Sequence, residues 1–186
     1  MGKDQASCRF PFPSLATTNG RLRTELERRV GSDRGNFWRM ASWNHGAAMA
    51  LIDLADALRD DARIPRRLRE LVILRTSQLC GAALPVHHHQ DMARAAGVEE
   101  SIVQAAETGN AEGLDEPCRL TLRIVDSLVM NKRAEPEALS ALARLLGEAG
   151  AMDIMLLSGF YITVSLTMNS CGIIDEGKGE GGIPWL

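Results

Sequence analysis

The chain has 186 residues, a formal net charge of −3, 45% hydrophobic residues and only 4% aromatic residues. This length and composition predict a single globular domain, spanning residues 1–186, with a sizeable hydrophobic core. A slightly acidic chain with few aromatic side chains offers neither the positive surface nor the stacking platform that nucleic-acid binding needs, so we expect no nucleic-acid partner.

Two further features bear on the cellular compartment. No apolar run looks long enough to span a bilayer, and the N-terminus lacks the apolar segment of a signal peptide, so we expect no membrane partner. The four cysteines are far apart in the sequence and show no paired spacing. Reduced thiols and a cytoplasmic location are therefore predicted.

Helical periodicity dominates the chain and strand patterns are almost absent, which predicts an all-α fold in one compact multi-helix domain. Alternating prolines make residues 1–18 an irregular N-terminal arm, and repeated glycines make residues 176–186 a tail without a fixed shape. Between them, apolar spacing, capping residues and prolines predict helices over about residues 21–30, 37–58, 65–79, 85–96, 99–107, 116–131, 136–146 and 152–171.

The last predicted helix is apolar on every side. A helix of this kind is buried all round, so it should be the central core helix, a subunit interface or both, and we expect a homo-oligomer. Tyr161, the only tyrosine of the chain, lies in this helix. A buried tyrosine hydroxyl needs a hydrogen-bond partner, so Tyr161 is either a core residue or a contact for a bound substrate, and we favour the core.

Titratable side chains are concentrated in one short segment. Glu70 and Arg75 lie in the helix that ends near residue 79, and His87, His88 and His89 open the next helix after a short Gly/Pro loop. Because imidazoles titrate near neutral pH, we place the functional site here. Successive helix residues point about 100° apart, so the three histidines cannot all face one ion, and no metal site is predicted. At least one of them should face solvent.

Several segments of the chain resemble one known family. The run RIPRRLRELVILR at residues 63–75 resembles a helix that carries a functional glutamate, and HHQDMARAAGV at residues 88–98 resembles a histidine helix. The short runs NFWRMA, GFY and NSCG, which begin at Asn36, Gly159 and Asn169, resemble flanking signatures of the subgroup of this family that contains decarboxylases. Together they make the chain similar, over most of residues 36–173, to the carboxymuconolactone decarboxylase and AhpD-like family of small all-helical proteins.

The chain departs from the peroxidase-like branch of this family, in which two cysteines at Cys-x-x-Cys spacing precede the histidine. Counting back from His89, the corresponding positions hold Ala82 and Pro85. Cys80 lies nearby without a second cysteine in the motif, so a dithiol–disulfide cycle cannot run within this site. The resemblance implies a shared architecture, and a thiol peroxidase that pairs Cys80 with a distant cysteine is the least favoured function.

The resemblance also implies that Glu70 and His89 form an acid–base pair that works without a cofactor. The carboxylate would orient the imidazole, and the imidazole would protonate the carbanion that remains when a lactone or keto acid loses carbon dioxide. His88 is a further catalytic candidate, and either His88 or Arg75 could hold the substrate's negative charge. The local spacing also allows a simpler interpretation, a surface salt bridge between Glu70 and the arginines three and four residues before it.

Three more side chains are candidates for contact with a small-molecule substrate. Trp43 and His45 lie in the long helix that precedes the helix of Glu70, and both could line the pocket. Packing within their own helix is the simpler interpretation. His87 is included because it adjoins the two histidines that the family pattern matches.

Two classes of function stay open on the sequence. The first is a lyase-like decarboxylase or an isomerase acting on a small carboxylated or lactone-bearing molecule. The second is a non-catalytic, oligomeric protein of the same fold that binds a ligand or a partner. An apolar pocket with Glu70 within hydrogen-bond reach of His89 would support the enzyme, whereas a filled core with Glu70 turned to solvent would support the binding protein.

Overall fold

The computed structural model describes residues 9–14, 17–18, 20–30 and 36–173. Within these ranges the regular elements are helices and no strand occurs, so the predicted all-α fold is confirmed. Residues 9–14 are irregular, as predicted for the N-terminal arm, and the glycine-rich tail lies outside the described residues. The helices are α1 Gly20–Val30, α2 Asn36–Ala41, α3 His45–Asp60, α4 Arg66–Leu79, α5 Ala83–Ala95, α6 Glu100–Thr108, α7 Glu116–Asn131 and α8 Pro136–Cys171.

The single long helix predicted over about residues 37–58 is wrong, because the chain forms two helices, α2 and α3, that are separated at residues 42–44. Asn44 caps the second of them, since its side-chain oxygen accepts a hydrogen bond from the backbone N–H of Ala47 at 3.0 Å. An asparagine side chain that satisfies a helix N-terminus competes with continuation of the helix before it. Elsewhere most boundaries lie close to the prediction, and α7 matches it at both ends.

The two helices predicted over residues 136–146 and 152–171 form one run, α8, that is interrupted at Gly147. The backbone there has φ 75° and ψ 165°, a conformation that glycine adopts readily. Beyond this break, Met152, Leu156 and Leu166 are 48%, 47% and 54% exposed. Within one chain the helix is therefore not buried on every side, and its predicted role as a subunit interface of a homo-oligomer stays a prediction.

By length and composition, α8 could cross a membrane, and among the helices described here it alone passes that test. The prediction that no apolar run is long enough to span a bilayer is thus wrong for α8. The core helix of a soluble protein passes the same test, and 44% of the apolar window of α8 is buried inside the structure.

The described residues fall into two compact units. The first comprises residues up to Ala57 together with those from Thr167 onward. Arg21 on α1 makes an ion pair with Asp53 on α3 at the surface of this unit. Its buried apolar cluster joins the same two helices and consists of Leu22, Leu26, Ala48 and Ile52.

The second unit comprises residues 58–166, and α4 lies at its centre. Every residue of α4 from Leu71 to Ser77 is buried, and this helix packs against α5, α6 and α7. A helix that is enclosed on all sides carries even its polar side chains into the interior, which is how Glu70 comes to be buried. The fully buried apolar side chains of this unit include Leu68, Leu71, Val72, Ile102, Val103, Ile124, Val125, Leu142 and Ile154.

Asp115 both caps α7 and forms an ion pair with α4. Its side chain accepts a hydrogen bond from the backbone N–H of Cys118 at 3.1 Å and lies 2.6 Å from the guanidinium of Arg67. The hydrogen bond from Arg67, opposed in part by burial, lowers the pKa of Asp115 to about 2. The charged carboxylate therefore stabilises the fold above the ordinary aspartate pKa of about 4, and this stabilisation is lost as the pH falls from about 4 to about 2.

We expect Asp115→Ala to lower the free energy of unfolding by about 1 kcal/mol at neutral pH, because the helix cap is lost. Asp115→Asn keeps a capping oxygen and removes only the ion pair and the titration. Urea denaturation at several pH values checks both variants. The stability difference between wild type and Asp115→Asn should shrink as the pH falls from about 4 to about 2, and a difference that stays constant through that interval would contradict the assignment.

Candidate active site

Glu70 on α4 and His89 on α5 are brought together by a tight connection between the two helices. Gly81 adopts φ 66°, and the backbone N–H of Ala82 donates back to the carbonyl of Ser77 at 2.9 Å. This reversal returns the chain onto α4, so that α5 packs against it. Glu70 Oε2 then lies 3.1 Å from His89 Nδ1, with the two side chains only 4% and 12% exposed.

Tyr161 on α8 contacts the other side of the same imidazole. Its hydroxyl lies 2.8 Å from His89 Nε2, and the two rings meet edge to face with centroids 5.2 Å apart. Burial raises the pKa of the Tyr161 hydroxyl, and the nearby Glu70 carboxylate raises it further. Tyr161 is therefore a neutral phenol at neutral pH, hydrogen-bonded to the histidine.

The partners of His89 determine where its protons lie. An ionised carboxylate can only accept a hydrogen bond, so Nδ1 carries a proton and donates it to Glu70. In the neutral imidazole, Nε2 has a lone pair and accepts the hydrogen bond from the phenol O–H of Tyr161. In the imidazolium, Nε2 donates to the phenol oxygen instead. The three groups can therefore pass a proton through the imidazole while the Glu70 carboxylate stays in place beside it.

Of the two arginines that the sequence offered as ion-pair partners of Glu70, one pairs with it. Arg66 Nε lies 3.6 Å from Glu70 Oε1, while Arg67 pairs with Asp115 instead. The contacts of Glu70 with Arg66 and His89 use different carboxylate oxygens, so both exist together. Glu70 is buried, so this is not the surface ion pair that local spacing suggested.

The guanidinium of Arg75 is buried and committed to protein groups, and its contact with a substrate stays a prediction. Arg75 Nε lies 2.6 Å from Asp126 Oδ1, and Nη1 donates to the carbonyls of Ala106 and Glu107 at the end of α6, at 3.3 Å each. A Cβ atom at Gly109, which caps α6 with φ 76°, would lie 2.5 Å from Arg75 Nη2. Arg75 therefore joins α4, α6 and α7 and has a structural role.

The remaining candidates lie in different surroundings. His87 is exposed, which agrees with the prediction that at least one histidine of the triplet faces solvent, and the side chain of His88 lies outside the described part of the structure. Trp43 and His45 belong to the first unit, where they line a cavity of about 400 Å³ together with Pro11–Ser14, Thr17 and Ser42. The indole N–H of Trp43 donates to the carbonyl of Pro11 at 3.0 Å, while the residue is 62% exposed, and substrate contact by Trp43 and His45 stays a prediction.

The positions that hold thiols in the peroxidase-like branch carry none here. Ala82 is buried, with no side-chain cap at the start of α5, and burial raises the pKa of the neighbouring Cys80 thiol. A raised pKa keeps a thiol in its unreactive protonated form. In the described ranges, no group of three or more histidine, cysteine, aspartate or glutamate side chains is arranged to hold a metal ion.

Sequence reasoning missed two contacts of the second unit. It did not pair Tyr161 with His89, which is 72 residues away, and it did not pair Asp126 with Arg75, 51 residues away. For Tyr161 a signal existed, since a lone tyrosine in an apolar helix needs a partner for its hydroxyl. For Asp126 the sequence carries no comparable signal.

Residues 46–115 match the carboxymuconolactone decarboxylase family, which confirms the resemblance seen in the sequence. No curated protein matches the chain. An uncharacterised peroxidase-related protein with an alkylhydroperoxidase AhpD core, from Ralstonia eutropha JMP134, is 18% identical with a TM-score of 0.75 over 90% of this chain and 92% of its own. Another uncharacterised peroxidase-related protein, from Silicibacter sp. TM1040, is 14% identical with a TM-score of 0.74 over 94% of each chain.

A third solved structure of this fold is the debrominase Bmp8 in complex with 2,3,4-tribromopyrrole. It is 18% identical to this chain, with a TM-score of 0.68 over 89% of this chain and 93% of its own. At these identities the likeness shows a shared fold, and the chemistry of each protein depends on its own side chains.

Proposed function

We propose that this chain, which belongs to the carboxymuconolactone decarboxylase and AhpD-like family through residues 46–115, is an enzyme that transfers a proton to or from carbon without a cofactor. Its substrate would be a small carboxylated or lactone-bearing molecule. The observation that carries the proposal is the hydrogen bond of 3.1 Å between the buried carboxylate of Glu70 and His89. A buried carboxylate that orients an imidazole and balances its charge is an established arrangement for proton transfer near neutral pH.

The chemistry follows from what the pair can supply. In a decarboxylation, the bond from the α-carbon to the carboxylate breaks, carbon dioxide leaves, and the electron pair remains as an enolate that needs a proton. The imidazolium of His89 supplies that proton, and Glu70 stabilises the positive charge of the ring beforehand. In an isomerisation the same imidazole first removes a proton from carbon and then returns it at another position.

The buried position of Glu70 favours this function over a non-catalytic role. A fold that only binds a ligand or partner has no need of an ionisable carboxylate and an imidazole held together away from solvent, since burying them carries a cost. The absence of thiols at Ala82 and Pro85 removes the support for a peroxidase cycle within this site. The solved debrominase of this fold is consistent with enzymes of varied chemistry on the same scaffold.

The test is a proton-transfer assay over a panel of β-keto carboxylates and γ-lactones in deuterated water. Carbon dioxide release reports decarboxylation, and deuterium incorporation at carbon reports proton exchange in either direction. His89→Ala should lower kcat by roughly 10²–10⁴-fold on any compound that the wild type converts. Asp91→Ala, an exposed titratable residue on the same helix, serves as the matched control and should stay within about threefold of the wild type.

Two results would contradict the proposal. One is wild-type turnover that His89→Ala leaves unchanged, because the imidazole would then have no part in the reaction. The other is a wild-type protein that neither releases carbon dioxide nor exchanges deuterium with any member of the panel.

A further inference from the structure

Both ring nitrogens of His89 are occupied by protein groups. Nδ1 faces Glu70 at 3.1 Å and Nε2 faces the hydroxyl of Tyr161 at 2.8 Å. A substrate carbon can therefore exchange a proton with this imidazole in only two ways. Either the substrate displaces the Tyr161 hydroxyl, or the proton passes through it.

Tyr161 is held in place by its aromatic neighbours. Its ring packs edge to face against His89, with centroids 5.2 Å apart, and against Phe160, with centroids 5.4 Å apart. Displacing the hydroxyl would break a hydrogen bond and disturb both ring contacts, whereas passing a proton through it needs no movement of heavy atoms.

We infer that Tyr161 is the group that exchanges the proton with the substrate carbon, with His89 behind it as proton reservoir and Glu70 behind His89. This inference rests on the proposed function and assigns its last step. Tyr161 is then a catalytic residue, whereas the sequence indicated a core residue or a substrate contact.

In the direction of protonation, the carbanion of the substrate takes the proton of the Tyr161 O–H, so a C–H bond forms and the O–H bond breaks. The phenolate oxygen takes the proton from Nε2 of the His89 imidazolium, which becomes a neutral imidazole with its remaining proton on Nδ1, donated to Glu70. Tyr161 ends as it began, and His89 regains a proton from solvent before the next turnover.

The charged groups around Tyr161 suit this role. Burial and the Glu70 carboxylate raise the pKa of the phenol, while Arg69 on α4 lowers it. His89 on α5 is a further titratable neighbour. The balance lies on the raised side, so the phenol carries its proton throughout the neutral range. Because a free phenolate is costly in this site, the phenol must give its proton to the substrate while it takes the proton of the adjacent imidazolium.

Tyr161→Phe tests the inference, on the panel compound that the wild type converts best. It removes the hydroxyl and keeps the aromatic contacts. We expect kcat to fall by roughly 10²–10⁴-fold with KM within about threefold, because a group that acts only in the transition state affects kcat rather than substrate binding. A variant that keeps the wild-type kcat, or that turns over faster because Nε2 has become accessible, would overturn the inference. If His89→Ala is inactive while Tyr161→Phe is fully active, only this inference fails and the proposed function stands.

A second measurement covers the case in which Tyr161→Phe folds poorly. Because Tyr161 is the only tyrosine, biosynthetic replacement of tyrosine by 3-fluorotyrosine alters this one side chain and keeps its hydroxyl. A phenol of altered acidity changes both its proton donation to carbon and its reprotonation by His89, so kcat should change while KM stays within about threefold. The fluorine resonance of the single label checks that the labelled protein is folded. A kcat identical to that of the unlabelled protein would overturn the inference.

Discussion

Glu70→Gln is expected to lower kcat by roughly 10²–10⁴-fold on the substrate that the wild type converts. The amide has nearly the shape of the carboxylate, so the packing of α4 is kept. It has no negative charge to stabilise the His89 imidazolium, which must form in every cycle. The amide can also present its N–H₂ group to Nδ1. That would place the imidazole proton on Nε2 and reverse the hydrogen bond to Tyr161.

Two measurements check this prediction. Steady-state kinetics give kcat, and ¹⁵N NMR of labelled histidine shows which nitrogen of His89 carries the proton. The matched control is Glu148→Gln, the same chemical change at an exposed position of α8, which should leave both readouts unchanged. If Glu70→Gln keeps a kcat within about threefold of the wild type, then the carboxylate only packs against the histidine.

Arg75→Ala is expected to destabilise the protein by about 3 kcal/mol, the low end of the range for breaking a buried ion pair. The guanidinium of Arg75 is buried and joins Asp126 to two carbonyls at the end of α6. Its removal takes the donor from both carbonyls and leaves a space in the structure. The cost stays at the low end because Asp126 is partly exposed and can be solvated by water.

Thermal unfolding and urea denaturation measure the effect, with an expected fall in Tm of about 6–12 °C for a chain of this size. Arg75→Lys is the informative partner variant, since it keeps the charge and the aliphatic stem but not the planar fork of donors, and it should show an intermediate loss. A stable Arg75→Lys protein with a raised KM would instead restore the substrate-binding role that the sequence had suggested.

The sequence predicts helices well where local signals agree. For α7, the cap Asp115, the early proline and the apolar spacing all mark the same element, and both ends match the structure. The prediction of one long helix fails between α2 and α3. The apolar stripe continues there across a break at which the side chain of Asn44 caps the second helix. Hydrophobic periodicity shows which face of a helix is apolar. It does not reveal a short break after which the apolar residues continue at the same spacing.

The candidate site was predictable where it depends on neighbouring helices. Glu70 and His89 are 19 residues apart, on helices that a three-residue connection brings together. The resemblance to the family was therefore sufficient to predict that these two residues pair. Tyr161 comes from a distant helix, and which of its residues faces His89 depends on how the helices pack. Arginine is a residue type that binds carboxylates, so the sequence suggested that Arg75 binds a substrate carboxylate. The structure shows that the carboxylate of Asp126 already pairs with it.

The contact between Arg75 and Asp126 also bears on the order of events in folding. Its partners are 51 residues apart, with α5 and α6 in the segment between them. Local helices form early, whereas a contact of such long range must await closure of the intervening loop. An interaction made after the transition state contributes little to the speed of folding and much to the barrier against unfolding. The ion pair should therefore chiefly lower the rate of unfolding and so prolong the lifetime of the native state.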